Sequence, residues 1–304
     1  MIDKDRKYME LAPEDFPLSL SQSKFMPKRL YGIGTLPEKE AVGIAMVGTR
    51  RPSSSAKELC RRLVKSLIGT NAVVVSGLAQ GIDSYCHEAA LEYGIPTIAV
   101  IAQGLDIPIP GDRATLARQI IDKGSCILTE YENDFPAYKG NFPARNRIIS
   151  GLSQTTVLVQ SKLKGGALIT ADYCLQENKP LLAVPGDFDS ETASGPNFYL
   201  DQGKAIPVFV PESLRLVAGL PQVKTNGSQG TAPSLAQVAA TGCTLSPDAL
   251  NLFKQFNGFR KTFPDLQREC NLKPVNILAI LTELELAGLV STPDNFQFYF
   301  NGTP

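Results

Sequence analysis

Between Val42 and about Pro211 the chain alternates short, unbroken apolar runs with stretches whose apolar residues recur at helical spacing. The runs are Gly43–Val47, Ala72–Val75, Thr97–Ile101, Cys126–Leu128, Thr156–Val159, Leu181–Val184 and Ile206–Val210. Between the first two, Ser54 to Leu67 places Ala56, Leu59, Cys60, Leu63, Val64 and Leu67 on one face, and Gly69 closes the helix. Ile82–Tyr93, Asp112–Lys123 and Ala167–Asn178 read as further helices, the first two stopped by Gly94 and Gly124. Continuous apolar strands separated by helices predict an α/β fold: a mostly parallel sheet with helices on both faces. In such a sheet ligands bind outside the carboxyl ends of the strands, so the loops that follow each run are where chemistry is expected.

The flanks differ. Residues 1–40 carry Pro13, Pro17, Pro27 and Pro37, which break any long helix, and predict an extended lead-in lying on the next domain. Residues 219–245 are polar, Gly-rich and aperiodic, and predict a flexible linker. Beyond it, within 246–304, Pro247–Phe256, Phe263–Cys270 and Pro274–Ala287 predict three short helices. Val290–Thr292 and Gln297–Phe300 follow as a hairpin around Pro293-Asp294-Asn295. Three helices and a β-wing suggest a small C-terminal winged helix.

Composition narrows the function. The 30 Lys plus Arg balance 30 Asp plus Glu, which argues against a polycation coating nucleic acid but leaves room for a local patch. The apolar runs are too short to span a bilayer, and Met1–Glu10 lacks the apolar core of a secretory signal, so a cytoplasmic protein is expected. Cys60, Cys86, Cys126, Cys174, Cys243 and Cys270 are scattered singly, as reduced core thiols would be. His87 is the only histidine, so neither a metal site nor a cofactor is expected, and any triad has one imidazole to use.

Four loops hold the chemistry. Gly48-Thr49-Arg50-Arg51-Pro52-Ser53 joins a strand to a helix, with two forked guanidinium groups near free amides. Ser76 to Asp83 follows the next strand. It has glycines but neither the GxGxxG nor the GxxxxGK[ST] spacing, so no dinucleotide or Walker site is supported. Asp83 and His87, four apart, form an acid–base pair or, more simply, Asp83 caps the helix or holds the loop and His87 is a satisfied, half-buried side chain. Phe135 through Ala171 contains no Asp or Glu, yet holds Lys139, Arg145, Arg147, Lys162 and Lys164 around Phe142-Pro143-Ala144-Arg145-Asn146-Arg147. That segment predicts a local positive field suited to phosphate, with Tyr131, Tyr138 and Phe142 available to stack on unpaired bases. Lys164-Gly165-Gly166-Ala167 predicts an anion nest of successive amides, and Ser194-Gly195 supplies another small-residue loop. The stripe Lys57, Arg61, Lys65 reads as solvated surface. The C-terminal part carries Glu283 and Glu285 where a DNA-reading helix wants basic or amide groups, so a protein contact or one to its own chain is expected there.

Taken together these loops resemble the DNA processing protein A family (DprA, also called Smf). The likeness rests on Ala45-Met46-Val47-Gly48-Thr49-Arg50, on Val75 to Asp83 with His87, on Thr97-Ile98-Ala99-Val100 and on Gly104-Leu105-Asp106. It continues through Phe142 to Ser153, Leu168-Ile169-Thr170-Ala171, Ala183-Val184-Pro185-Gly186 and Ser194-Gly195. The lead-in motifs Asp15-Phe16-Pro17 and Leu30 to Gly34 extend it, so that it covers about residues 14 to 210. The resemblance implies an extended Rossmann-like domain over 41–218 that binds single-stranded DNA without catalysis, dimerises, and helps to load a RecA-type recombinase during natural transformation. By position it makes Arg50 a principal phosphate contact, Lys139 and Phe142 the backbone and base contacts, and Gly165 and Gly166 an amide lining. With Gly48, Thr49, Arg51, Arg145, Asn146, Arg147, Lys164, Ser194 and Gly195 these form the expected DNA-binding set. Gln160 and Gly165-Gly166-Ala167 stand where the family usually has an acid and Ser-Gly-Ser, and Ile109 replaces a usual tyrosine. The separate N-terminal helical domain of many members is expected to be absent. Two readings compete: a nucleoside-monophosphate phosphoribohydrolase using Asp172 or Glu130, and a small-nucleotide sensor, with a defence or toxin-neutralising role open to either.

Overall fold

The structure is a computed structural model, and it describes residues 8–220, 245–257, 260–270, 272, 274–287, 289–294 and 297–300. The chain divides into two compact units, Met1–Val223 and Lys224–Pro304. The expected linker at 219–245 and Cys243 lie almost wholly outside the described residues.

In the first unit the seven apolar runs become strands, joined by two more from the lead-in. They are β1 (Met9–Leu11), β2 (Leu30–Gly34), β3 (Val42–Gly48), β4 (Ala72–Ser76), β5 (Thr97–Val100), β6 (Cys126–Thr129), β7 (Thr155–Gln160), β8 (Leu181–Ala183) and β9 (Ile206–Pro207). The helices are α1 (Leu18–Ser21), α2 (Ala56–Lys65), α3 (Ile82–Glu92), α4 (Asp112–Asp122), α5 (Asn141–Gly151), α6 (Ala167–Gln176), α7 (Ser194–Asp201) and α8 (Ser213–Val217). The sheet order is β1-β2-β6-β5-β4-β3-β7-β8-β9, with β3 to β9 all parallel.

Residue alternation sends each strand to both faces, and both are covered. Ala45, Val47, Val73 and Val75 pack with Ile148, Ile149, Ala171 and Cys174 of α5 and α6. Ile44, Met46, Val74 and Val157 pack with Cys60, Leu63 and Val64 of α2 and with Cys86 and Ala90 of α3. The cysteines among the described residues are free and buried, as expected of core thiols. On α2 the basic stripe is indeed surface: Lys57 pairs with Glu88 at 2.7 Å, and Arg61 with Glu58 at 2.8 Å and with Glu92.

Three expectations need correction. The lead-in does not merely lie on the domain. Its β2 pairs antiparallel with β6 and its β1 with β2, so it completes the sheet edge, while Phe16 and Leu20 fill the core. Asn141–Gly151, expected to be a loop, is helix α5, and its Pro143 is tolerated because it falls in the first turn. Ser194-Gly195 likewise opens helix α7 rather than a loop.

The strand order reverses between β3 and β7. Strands run outward from β3 through β4, β5 and β6 on one side and from β7 through β8 and β9 on the other. Their carboxyl ends, where Gly48 lies opposite Gln160, are therefore the place where a crevice must open.

In the second unit, helices Pro247–Phe256, Phe263–Glu269 and Pro274–Leu286 and strands Val290–Asp294 and Gln297–Phe300 stand where the sequence places them. The strand Arg260–Thr262, which no pattern announces, pairs with Gln297–Phe300 to make a three-stranded antiparallel sheet. Ser246 caps the first helix, its Oγ accepting from the Ala249 amide at 3.2 Å. The Ser246 hydroxyl donates to Glu283 at 2.8 Å. The acid on the third helix is thus engaged with its own chain.

Candidate functional site

At the carboxyl ends of β3 and β7 lies a cavity of about 610 Å³. The first loop supplies Gly48, Thr49 and Arg50, and the acid-free segment supplies Lys139, Phe142, Arg145 and Asn146. Lys162, Lys164, Gly165 and Gly166 come from the loop after β7. The sequence-predicted residues from three separate loops thus meet around one space, over a floor that includes Val47, Ile149 and Ile169.

Each loop is held by identifiable bonds. The Thr49 amide donates to the Gln160 carbonyl at 2.7 Å, which locks the end of β3 to the end of β7. Gln160 then clamps the first loop with its side chain: Oε1 accepts from the Ser53 amide at 3.0 Å and Nε2 donates to Ser53 Oγ at 2.8 Å. A neutral amide does this where the resemblance leads one to expect an acid, so the clamp on the first loop carries no charge. Asn146 ties α5 to the glycine loop, its Nδ2 donating to the Gly166 carbonyl at 3.2 Å. The Ser194 hydroxyl accepts from the Leu163 amide at 3.1 Å, and the Gly195 amide donates to Ser161 O at 2.8 Å. Ser194 and Gly195 do not line the cavity; they buttress the loop that does.

The glycine loop differs in detail from the nest expected. The Gly165 amide donates to the Lys162 carbonyl at 2.9 Å, so it is not offered to a ligand. Gly165 is also closely packed: a Cβ would sit 2.2 Å from Ser161 Oγ, so a side chain there forces that hydroxyl to move. The amides of Gly166 and Ala167, at the start of α6, make no hydrogen bond among the described residues and remain for an anion.

The cations divide into two groups. Arg50, Lys139 and Lys164 are exposed and have no ion pair among the described residues. Arg50 lies over the Phe142 ring, 5.3 Å from its centroid, so each side chain fixes the other. Lys162 is paired with Glu191 at 2.5 Å on the surface. Arg145 and Arg147, expected to meet phosphate, are structural instead. Arg145 is buried, and its guanidinium donates to the Gly77 carbonyl at 2.8 Å and to Val100 O. Arg147 pairs with Glu130 and donates to Phe25 O at 2.6 Å, tying α5 to the lead-in. Arg51 is exposed but stands outside the cavity lining.

Beneath the floor, Arg145 lies within electrostatic reach of Asp83 and His87. Gly77 must be glycine here, because a Cβ would lie 2.6 Å from the Arg145 guanidinium. Burial pushes the Asp83 carboxyl up, against Arg145 and the loop amides, Gly77 N among them at 3.1 Å, which hold it down. His87 is fully buried. The Thr97 hydroxyl donates to Val74 O at 2.7 Å, so it accepts from His87 Nδ1–H at 2.7 Å, leaving Nε2 unprotonated. Burial, with Arg145 adding to it, pushes that imidazole down to about 3. Asp83 and His87 therefore act as a loop anchor and a neutral core ring. The unfolded chain takes up a proton near 6.5, so stability is whole above that pH and is lost progressively as pH falls toward about 3. Urea unfolding across this range is expected to show that loss, with a shallower slope in His87→Gln.

What this geometry can do is hold a chain of phosphates along unpaired cations and bare amides, beside one ring and an apolar floor. The family model of DNA recombination-mediator protein A matches residues 7–218. The chain belongs to this family. It is 32% identical over 239 residues to protein Smf of Synechocystis sp., a stretch that is 77% of this chain and 60% of that one. It is 37% identical over 209 residues to DNA processing protein DprA of Bacillus subtilis, covering 66% of this chain and 70% of that protein. The structure of DNA processing protein A from Helicobacter pylori, which addresses that protein's single-stranded DNA binding mode, superposes with a TM-score of 0.61 at 31% identity. The match covers 69% of this chain and 94% of the other. The chain thus spans about three fifths of the length of the Synechocystis relative, and the family match ends where the first unit does.

Proposed function

We propose that the first unit of this DprA-family chain binds single-stranded DNA without catalysis and serves as a recombination mediator that passes the strand to a RecA-type recombinase. On the same reading it works in the cytoplasm as a homodimer, and the C-terminal unit is a winged helix that meets protein rather than duplex DNA. The observation that carries the DNA reading is the set of three unpaired cations, Arg50, Lys139 and Lys164, converging with Phe142 on one open cavity. Phosphate neutralises the cations, and a flat base finds the ring and the floor. The family's description as a recombination mediator supports the partner class. Among the described residues no helix is long and apolar enough to cross a membrane.

A hydrolytic reading has less to stand on. Asp172 accepts from the Tyr199 hydroxyl at 2.5 Å, and Glu130 is taken by Arg147. Neither is among the residues lining the cavity, where Asp83, bound to its own loops, is the only acid described. A general base needs a carboxylate within reach of the reacting bond, and this cavity lacks a free one.

Titrating a fluorescent oligothymidylate of about twenty nucleotides with protein at several salt concentrations tests the proposal. Three phosphate contacts on a single strand predict a slope of log K against log salt of at least about −2. Affinity then falls about fifteen-fold between about 50 and about 200 mM. A flat dependence, or release of free base from nucleoside monophosphates, would overturn the reading.

A further inference from the structure

A second cavity, of about 450 Å³, opens on the far side of the loop that follows β4. Ala79 of that loop lines the first cavity, while Gln80 and Gly81 line the second, so a single turn of chain separates the two. The backbone of Thr49 and Arg50 stands at the divide: a Cβ on Gly81 would lie 3.0 Å from the Arg50 Cα, while the Arg50 guanidinium lies over Phe142 in the first cavity. Across the second cavity is Arg113, in the first turn of α4, a residue that no sequence motif singles out.

Arg113 is half-buried and has no hydrogen bond or ion pair among the described residues. Two acids share its cavity. Glu88 is taken by Lys57 at 2.7 Å, and Asp112 is exposed at the helix start. Burial and the neighbouring charge of Arg50 both push the Arg113 guanidinium down. A partly desolvated cation beside a second cation is unfavourable unless an anion completes the arrangement. Fold stability gives no reason to keep Arg113 half-buried without a partner among the described residues, whereas an anion in this cavity, one turn of chain from the first, relieves it.

We infer that the second cavity receives the strand as it leaves the first, with Arg113 on one of its phosphates. The inference rests on the single-stranded DNA reading and extends its path across the turn at Ala79–Gly81. Arg113 is then a binding residue for the length of the strand rather than for its first nucleotides.

The test compares the full chain with Arg113→Gln and Arg113→Lys on the same oligothymidylate of about twenty nucleotides. Loss of one phosphate contact predicts that Arg113→Gln binds about five-fold more weakly at low salt, with a salt slope shallower by about 0.7. Arg113→Lys, which keeps the charge, keeps the wild-type slope. The melting temperature of free Arg113→Gln is unchanged or raised, because a half-buried charge with no partner among the described residues is gone. Wild-type affinity and slope in Arg113→Gln, with Arg50→Ala still impaired, would overturn this inference and leave the DNA reading standing. A flat salt dependence in the wild type would remove both. A melting temperature lowered by several degrees in Arg113→Gln would make the residue structural and overturn the assignment.

Discussion

Arg50→Ala is expected to weaken oligothymidylate binding by about 2–3 kcal/mol, or about 30- to 150-fold, the range for removing one charge of a close charge-assisted pair. The effect is large because Arg50 does two things at once. Its guanidinium is exposed on the first cavity with no ion pair among the described residues, and its stacking over Phe142 holds it there before any ligand arrives. A donor already held in place loses little freedom on binding. Arg50→Lys keeps the charge but loses the planar fork and part of the ring contact, so its loss is expected to be smaller, about ten-fold. Fluorescence anisotropy at fixed salt reads both. The melting temperature stays at the wild-type value, since the side chain is exposed. Binding of Arg50→Ala within two-fold of wild type would mean that the strand runs elsewhere.

The second large effect is on stability. Arg145→Met is expected to cost about 3–5 kcal/mol, the range for breaking a buried charge arrangement by removing one partner. The guanidinium is 4% exposed, and it satisfies the carbonyls of Gly77 and Val100 and offsets the Asp83 charge. Without it the carbonyls lose their donor and the carboxylate stays in the core with loop amides alone. Because the variant raises the Asp83 carboxyl further, its deficit shrinks as pH is lowered and that group takes up a proton. Asp83→Asn added to Arg145→Met is expected to recover part of the loss. Urea unfolding measures each variant, and a deficit under about 1 kcal/mol would show that the core tolerates the missing cation.

The fold of the first unit is largely readable from the alternation of apolar runs and helical stretches, because the central runs are buried on both faces and α2 shows a clear apolar stripe; the last run, Ile206–Val210, is by contrast largely exposed. Besides α7, two features escape that pattern. Leu30-Tyr31-Gly32-Ile33-Gly34 has too few apolar residues to read as a core strand, and it pairs only because β6 offers it an edge. Asn141–Gly151 has its proline in the first turn and no clean apolar stripe, so its helix follows from contacts with α6 and the lead-in rather than from periodicity.

At the site, composition locates the positive region but cannot rank its members. Arg145 and Arg147 look like Arg50 in a sequence; what separates them is whether a carbonyl or a carboxylate from a distant segment is close by. Gly77 and Val100 stand sixty-eight and forty-five residues before Arg145, and Glu130 reaches Arg147 across the turn before α5. Arg113 fails to announce itself for the converse reason. Its distinction is the lack of a polar partner among the described residues, and an absence of contacts has no local signature in the chain.

The pairing of β2 with β6 has a meaning beyond the shape of the sheet. Cys126-Ile127-Leu128-Thr129 is apolar and fully buried, and if residues 8–34 were displaced it would become a bare row of amides and carbonyls. Such a row templates the addition of another copy of itself, the first step toward fibres. β1 ends the sheet as three residues with Glu10 at its centre, tied to Arg29 at 2.9 Å. The segment ahead of the domain therefore also guards the protein against its own copies.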